Sequence, residues 1–192
     1  MAKKNLIEKY KKASPEERRM LAEKVGEAAC NYEIKIRGCA QSVLAAIQEN
    51  LELGNIDVYK SASGLAAGVA GNGEICGALL SGILCIGVAY GRDNTEEFTR
   101  TSKTYQLARA RAGILTDKFR KEFGSLRCNE VLSKIVGRSF NMRDPEDYKL
   151  SGSIPEIHDK AANVTCRRTA IMAIETLLED DPNVDSMMEV KK

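Results

Sequence analysis

The 192-residue sequence lacks several of the patterns by which protein chemistry is usually recognised. It contains six cysteines but no Cys-x-x-Cys pair, so no ferredoxin, zinc-ribbon or thioredoxin signature is present. It has no excess of one charge, with 29 basic and 27 acidic residues. A surface that follows nucleic-acid phosphates normally leaves a clear basic excess, so no nucleic-acid binding is expected.

Long hydrophobic runs are also missing. The longest uncharged stretch, residues 75–91, is interrupted by glycines and is shorter than the roughly 20 residues that cross a bilayer. No apolar segment typical of a secretory signal follows the first residues. We therefore expect a cytoplasmic protein with no membrane span. In that compartment cysteines are inert core residues, metal ligands or redox groups rather than structural disulfides.

Helix signals dominate, and alternating strand-like segments are nearly absent. Ser14-Pro15-Glu16-Glu17 is a capping box with proline at the first helical position, which predicts a helix from there to about Tyr32. We predict an all-α, single-domain bundle of about six to seven helices. The further helices are predicted over about 38–53, from 55 onward, and over 76–90, 95–123, 128–136 and 160–179, with a polar loop over 137–159.

Four cysteines share a placement. Cys39, Cys76 and Cys128 lie at predicted helix N-termini, and Cys166 lies about two turns into the last helix. Free N–H groups and the positive end of the helix dipole favour a thiolate at a helix N-terminus, and a thiolate is the form that binds metal. Each cysteine also begins or joins an inward-facing stripe, so we predict that all four point into a shared interior. Burial as inert, small hydrophobic side chains is an equally frequent alternative.

The remaining candidates have more ordinary interpretations. Cys85 falls on the opposite helix face from Cys76 and is expected to fill the core, whereas Cys30 is a reserve candidate close to Cys39. His158, the single histidine, is expected to be solvated in a loop, with a role as metal ligand as the alternative. The glycine-rich stretch before Cys76 indicates either close backbone approach or an anion cradle. The longest helix is expected to expose four basic residues: Arg100, Lys103, Arg109 and Arg111.

Four segments that contain the four cysteines follow one another in order: residues 38–44 beginning Gly38-Cys39-Ala40, residues 63–78 with the glycine-rich stretch and Cys76, residues 123–128 ending at Cys128, and the position of Cys166. These segments resemble the C-GCAxxG-C-C family of redox-active proteins. They span roughly residues 38–178. The sequence has Ser81 where the family usually has glycine, and Gly82 follows one place later. The resemblance implies a helical redox domain over residues 38–180, preceded by an N-terminal arm and helix (1–37) and followed by a frayed acidic tail (181–192).

The related domain of split-Soret cytochromes suggests that such a scaffold can hold an iron–sulfur cluster. The resemblance therefore implies an electron carrier rather than a substrate-specific enzyme, working with a redox partner protein. Its expected cofactor is a two-iron, two-sulfur cluster bound by Cys39, Cys76, Cys128 and Cys166. The alternatives are a thiol–disulfide protein with a reversible cysteine pair, and a helical module with structural zinc on the same residues. We also expect a homodimer, because bundles with small-residue faces commonly pair.

Overall fold

The computed structural model describes residues 5–93 and 102–185, and the regular structure of these residues is helical. The helices are α1 (Asn5–Lys11), α2 (Pro15–Ile36), α3 (Cys39–Leu51), α4 (Ile56–Ser61), α5 (Gly77–Tyr90), α6 (Lys103–Phe123), α7 (Cys128–Val136), α8 (Pro145–Ser153), α9 (Pro155–Lys160) and α10 (Arg167–Leu178). A 3₁₀ turn (Ala62–Leu65) follows α4, and a π-helical stretch (Ala161–Cys166) joins α9 to α10 without a break. The all-α prediction is confirmed. None of the described helices is long and apolar enough to cross a membrane.

Local signals position most helix ends. The Ser14 hydroxyl accepts a hydrogen bond from the Glu17 N–H at 3.3 Å, and the Ser14 N–H donates to the Glu17 carboxylate at 2.8 Å, so the predicted capping box is confirmed. The helix continues beyond Tyr32 and ends before Arg37. The longest predicted helix is observed from Lys103, and its expected beginning at residues 95–101 lies outside the described residues.

The prediction of a long loop over residues 137–159 is wrong. The Asp144 carboxylate accepts hydrogen bonds from the N–H groups of Glu146 and Asp147, and Pro145 occupies the first helical position of α8. Pro155 begins α9 in the same way. An Asx cap followed by proline fits an isolated turn within a loop as well as a helix start, and here it begins a helix. With these two helices and α1, the described residues contain more helices than the six to seven that we predicted.

Helix α10 contacts α2, α3, α5 and α6, and the core lies between α10 and these four helices. Two glycines allow this close packing. A Cβ atom on Gly26 of α2 would lie 2.7 Å from Cγ1 of Ile171 in α10, and one on Gly82 of α5 would lie 2.7 Å from Cδ2 of Leu115 in α6. The glycine of the family motif thus lies one place later in this chain, at Gly82, and the contact with Leu115 requires it.

The prediction that Arg111 is exposed is wrong, because its side chain is fully buried. Its guanidinium donates to the carbonyls of Thr176 (2.5 Å) and Glu179 (2.8 Å) and to the Asp181 carboxylate (2.5 Å). The last carbonyls of a helix have no partner within it, and Arg111 supplies donors to the end of α10. Lys103 and Arg109 are exposed as predicted, and Arg100 lies outside the described residues.

The segment that we expected to be frayed begins with packed residues. Asp181 forms a second ion pair with Lys11 of α1 at 2.9 Å, and the Val184 side chain is buried. The rest of that segment, residues 186–192, lies outside the described residues.

Candidate functional site

The four predicted cysteines line one cavity with a volume of about 150 Å³. We call it the cysteine cavity and define it by Cys39, Cys76, Cys128 and Cys166. Cys76 and Cys166 are buried in its wall, whereas Cys39 and Cys128 are partly exposed. The structure therefore brings together four thiols from four separate segments of the chain. Four further residues of the cavity wall bear on its chemistry: Glu33, Ala67, Leu132 and His158.

Two packed helices place Cys39 and Cys76 at the cavity. Cys39 is the first residue of α3, and Cys76 directly precedes α5. A Cβ atom on Gly77 would lie 2.5 Å from the Leu65 carbonyl oxygen and 3.0 Å from the Cys39 Sγ atom, so a side chain has no space here. The buried Ser81 hydroxyl donates to the Ala40 carbonyl at 2.6 Å and ties α5 to the start of α3. Ser81 replaces the glycine that is usual in the family, and its hydroxyl thus gives this replacement a structural role.

A short antiparallel bridge between Ile75 and Arg127 places Cys128 beside Cys76. The Cys76 N–H donates to the Leu126 carbonyl at 2.9 Å, and the Cys128 N–H donates to the Glu74 carbonyl at 2.6 Å. Each cysteine therefore directly follows a bridged residue. Sequence reasoning missed this contact, because a single bridge leaves no alternating pattern.

One wall of the cavity belongs to a left-handed turn. Five consecutive residues have positive φ angles between 53° and 79°: Ala67, Gly68, Val69, Ala70 and Gly71. This conformation costs a residue other than glycine about 1–2 kcal/mol, and three of the five residues, Ala67, Val69 and Ala70, bear that cost. A Cβ atom on Gly68 would lie 2.7 Å from the Cys128 Cβ atom. The close backbone approach that the glycine-rich stretch indicated is therefore present.

Cys166 and His158 reach the cavity from the same continuous helical segment. Cys166 is the last residue of the π-helical stretch, and its side chain is fully buried. His158 belongs to α9 rather than to a solvated loop, so that expectation is wrong. Its Nε2 atom is buried and has no hydrogen-bond partner in the described part of the chain.

The other two cysteines do not line the cavity. Cys85 is 1 % exposed within the apolar core, consistent with its predicted role as core filler. The Cys30 thiol donates to the Asn163 side-chain oxygen at 3.3 Å, on the π-helical stretch that leads to Cys166. Cys30 therefore lies behind the cavity wall.

Electrostatics at the cavity oppose thiolate formation. Burial raises the pKa of Cys39, Cys76 and Cys128 to about 12, and it raises the pKa of Cys166 as well. Neighbouring cavity thiols add to the increase for each of them, which shows that they interact. Our expectation that helix N-termini would favour thiolates gives the wrong net direction, because burial outweighs the nearby N–H groups. A cation in the cavity would reverse this balance.

A buried carboxylate adds to the negative potential of the site. Glu33 is 6 % exposed and accepts hydrogen bonds from the Gly38 N–H (3.0 Å) and the Ser42 hydroxyl (3.1 Å). Burial raises the pKa of Glu33, and its charge raises the pKa of Cys39. We missed Glu33, although a signal was present: it follows the buried residues Val25 and Ala29 at helical spacing.

All six thiols are free. In residues 5–93 and 102–185, no three His, Cys, Asp or Glu side chains already surround a single ion position.

A family model described as "Putative redox-active protein (C_GCAxxG_C_C)" matches residues 38–179, about three quarters of the chain. The chain belongs to this family. The matched region of this C-GCAxxG-C-C protein includes all four cysteines of the cavity and leaves out Cys30. No curated protein and no solved structure gives a significant match.

Proposed function

We propose that this protein is an electron carrier whose cysteine cavity holds a two-iron, two-sulfur cluster. The observation that carries the proposal is the convergence of four thiols on one cavity of about 150 Å³. An engineered cavity of about this volume in another protein accepts a benzene molecule, so there is room here for a group of several atoms. Four cysteine thiolates are the usual ligand set of such a cluster.

The surrounding residues fit this group. Gly68 and Gly77 remove the side chains that would otherwise meet Cys128 and Cys39. The raised pKa values of the four thiols also require a compensating positive charge before thiolates can form, and iron supplies it. The same raised pKa values lower the thiolate fraction on which thiol–disulfide exchange depends, which favours the cluster over the disulfide alternative.

A cluster held by the four cavity cysteines would supply one-electron transfer between a donor and an acceptor protein. The chain itself provides the route for this exchange, because Cys39 and Cys128 are partly exposed while the other two ligands are buried. A partner that docks over these two residues would approach the site without any opening of the fold. We therefore infer that the redox partner contacts this side of the molecule.

Metal and sulfide analysis of the full chain after anaerobic purification tests the proposal. We expect about two iron and two acid-labile sulfide ions per chain, a visible absorption band, and an EPR signal after reduction. Alanine substitution of any of the four cavity cysteines should abolish iron binding. The matched control is Cys85→Ala, which removes a buried thiol away from the cavity and should leave iron binding intact.

Two results would overturn the proposal. One zinc ion per chain without sulfide would indicate the structural-zinc alternative. Metal-free protein with a reversible disulfide between two cavity cysteines would indicate the thiol–disulfide alternative. Circular dichroism of each variant distinguishes loss of the ligand from loss of the fold.

A further inference from the structure

His158 lines the cysteine cavity and has a buried nitrogen without a partner. Its side chain lies in the cavity wall together with the four cysteines, and its Nε2 atom has no hydrogen-bond partner among the described residues. Buried polar atoms in native proteins nearly always have a partner, and an exception calls for an explanation such as a missing ion or ligand. Here the side chain that carries this atom borders the space in which we place the cluster.

The helix that carries His158 is built so that this residue and Cys166 lie on one face. The two are eight residues apart, which in a regular α-helix would put them about 80° apart around the helix axis. The π-helical stretch Ala161–Cys166 lies between them and turns less per residue, which brings the two side chains closer to one face. Both side chains line the cavity.

We propose, building on the proposed function, that His158 donates a hydrogen bond from Nε2–H to a sulfur atom of the bound cluster and raises its reduction potential. His158 is thus a positioning residue rather than a ligand, because four thiolates already complete the ligand set. A neutral imidazole carries one proton, which is bound to either Nδ1 or Nε2. Since the side chain is partly exposed, water can donate to Nδ1, which leaves the proton on Nε2.

The sign of the change in reduction potential follows from the negative charge of the cluster with its thiolates. Reduction adds an electron to an already negative group, and an N–H donor stabilises the more negative state. Removing the donor should therefore make the midpoint potential more negative. A tenfold change in the reduction equilibrium corresponds to about 59 mV for a one-electron couple, and we expect a shift of this order.

Pulsed EPR of the reduced wild-type protein tests the contact directly. His158 is the only histidine in the chain, so labelling an untagged protein with ¹⁵N-histidine marks this residue alone. We expect a weak nitrogen coupling that changes with the label, as a hydrogen bond produces. A strong coupling would show that His158 is a ligand, and no coupling would show that it makes no contact. Either result overturns the inference.

Potentiometry of variants provides the second test. His158→Leu should keep the iron content and lower the potential by about 59 mV, whereas His158→Gln, which retains a donor, should stay close to wild type. The control is Cys85→Ala, which changes a buried side chain away from the cavity and should leave the potential unchanged. Equal potentials in wild type and His158→Leu overturn the role of His158 alone. A wild-type protein without iron and sulfide instead overturns the proposed function.

Discussion

Replacing Ala70 with glycine is expected to stabilise the protein. Ala70 lies in the left-handed turn with a φ angle of +54°, and its side chain is exposed. An L-residue in this conformation costs about 1–2 kcal/mol, while glycine loses about 0.5–1 kcal/mol more chain entropy on folding. Because an exposed methyl group contributes little burial, the difference predicts a gain of about 0.5–1 kcal/mol in the free energy of unfolding.

The matched control is Ala110→Gly in α6, which removes the same methyl group from right-handed helical backbone. That variant should lose about 1 kcal/mol. Urea and thermal unfolding of both variants measure the difference, and for a chain of this size 1 kcal/mol moves Tm by about 2–4 °C. If Ala70→Gly destabilises the protein as much as Ala110→Gly does, the left-handed turn is not strained and the reasoning fails.

Two further predictions concern the buried arginine and the cavity thiols. Arg111→Ala should lower the free energy of unfolding by about 2–6 kcal/mol, because two carbonyl oxygens at the end of α10 lose their donor and each unsatisfied buried acceptor costs about 1–3 kcal/mol. The exposed pair of Arg168 with Glu122 contributes under about 1 kcal/mol, so urea unfolding of Arg168→Ala is the comparison, and equal losses would contradict the assignment. In metal-free protein at pH 7, Cys39 should react with iodoacetamide more slowly than in unfolded chain, because burial raises its pKa to about 12. Its rate should increase with pH, and mass spectrometry that finds faster labelling in the folded state would favour the disulfide alternative.

The sequence predicts the helical ends of the cavity because those signals are local. The helix starts at Cys39, Cys76 and Cys128 have no side-chain cap, but a glycine precedes each of them within four residues, so they could be found without any structure. Their convergence was predicted from the order of the helices and from inward-facing stripes. Val43, on the stripe that begins at Cys39, is buried, whereas the stripe from Cys128 through Leu132 is only partly covered.

The features that could not be predicted depend on distant partners. Arg111 is buried because it meets carbonyl groups 65 and 68 residues away, and no local pattern records that contact. The left-handed turn opposes the preference of Val69, a β-branched residue for which a positive φ angle is a genuine outlier. The π-helical stretch before Cys166 likewise has no sequence signature, so the direction of His158 could not be inferred.

Apart from Arg111, these departures from local preference surround one place. The left-handed turn, the buried Glu33 carboxylate, the four thiols and His158 with its unpartnered nitrogen all border the cysteine cavity. Sequences usually agree with their folds at every level except at functional sites, where the strain is compensated by something else. The iron of a bound cluster would compensate the thiolate charge, its sulfur atoms would accept the hydrogen bond proposed for His158, and the whole group would link four segments of the chain. Binding should therefore stabilise the native state, and removing the iron should make the whole bundle easier to unfold.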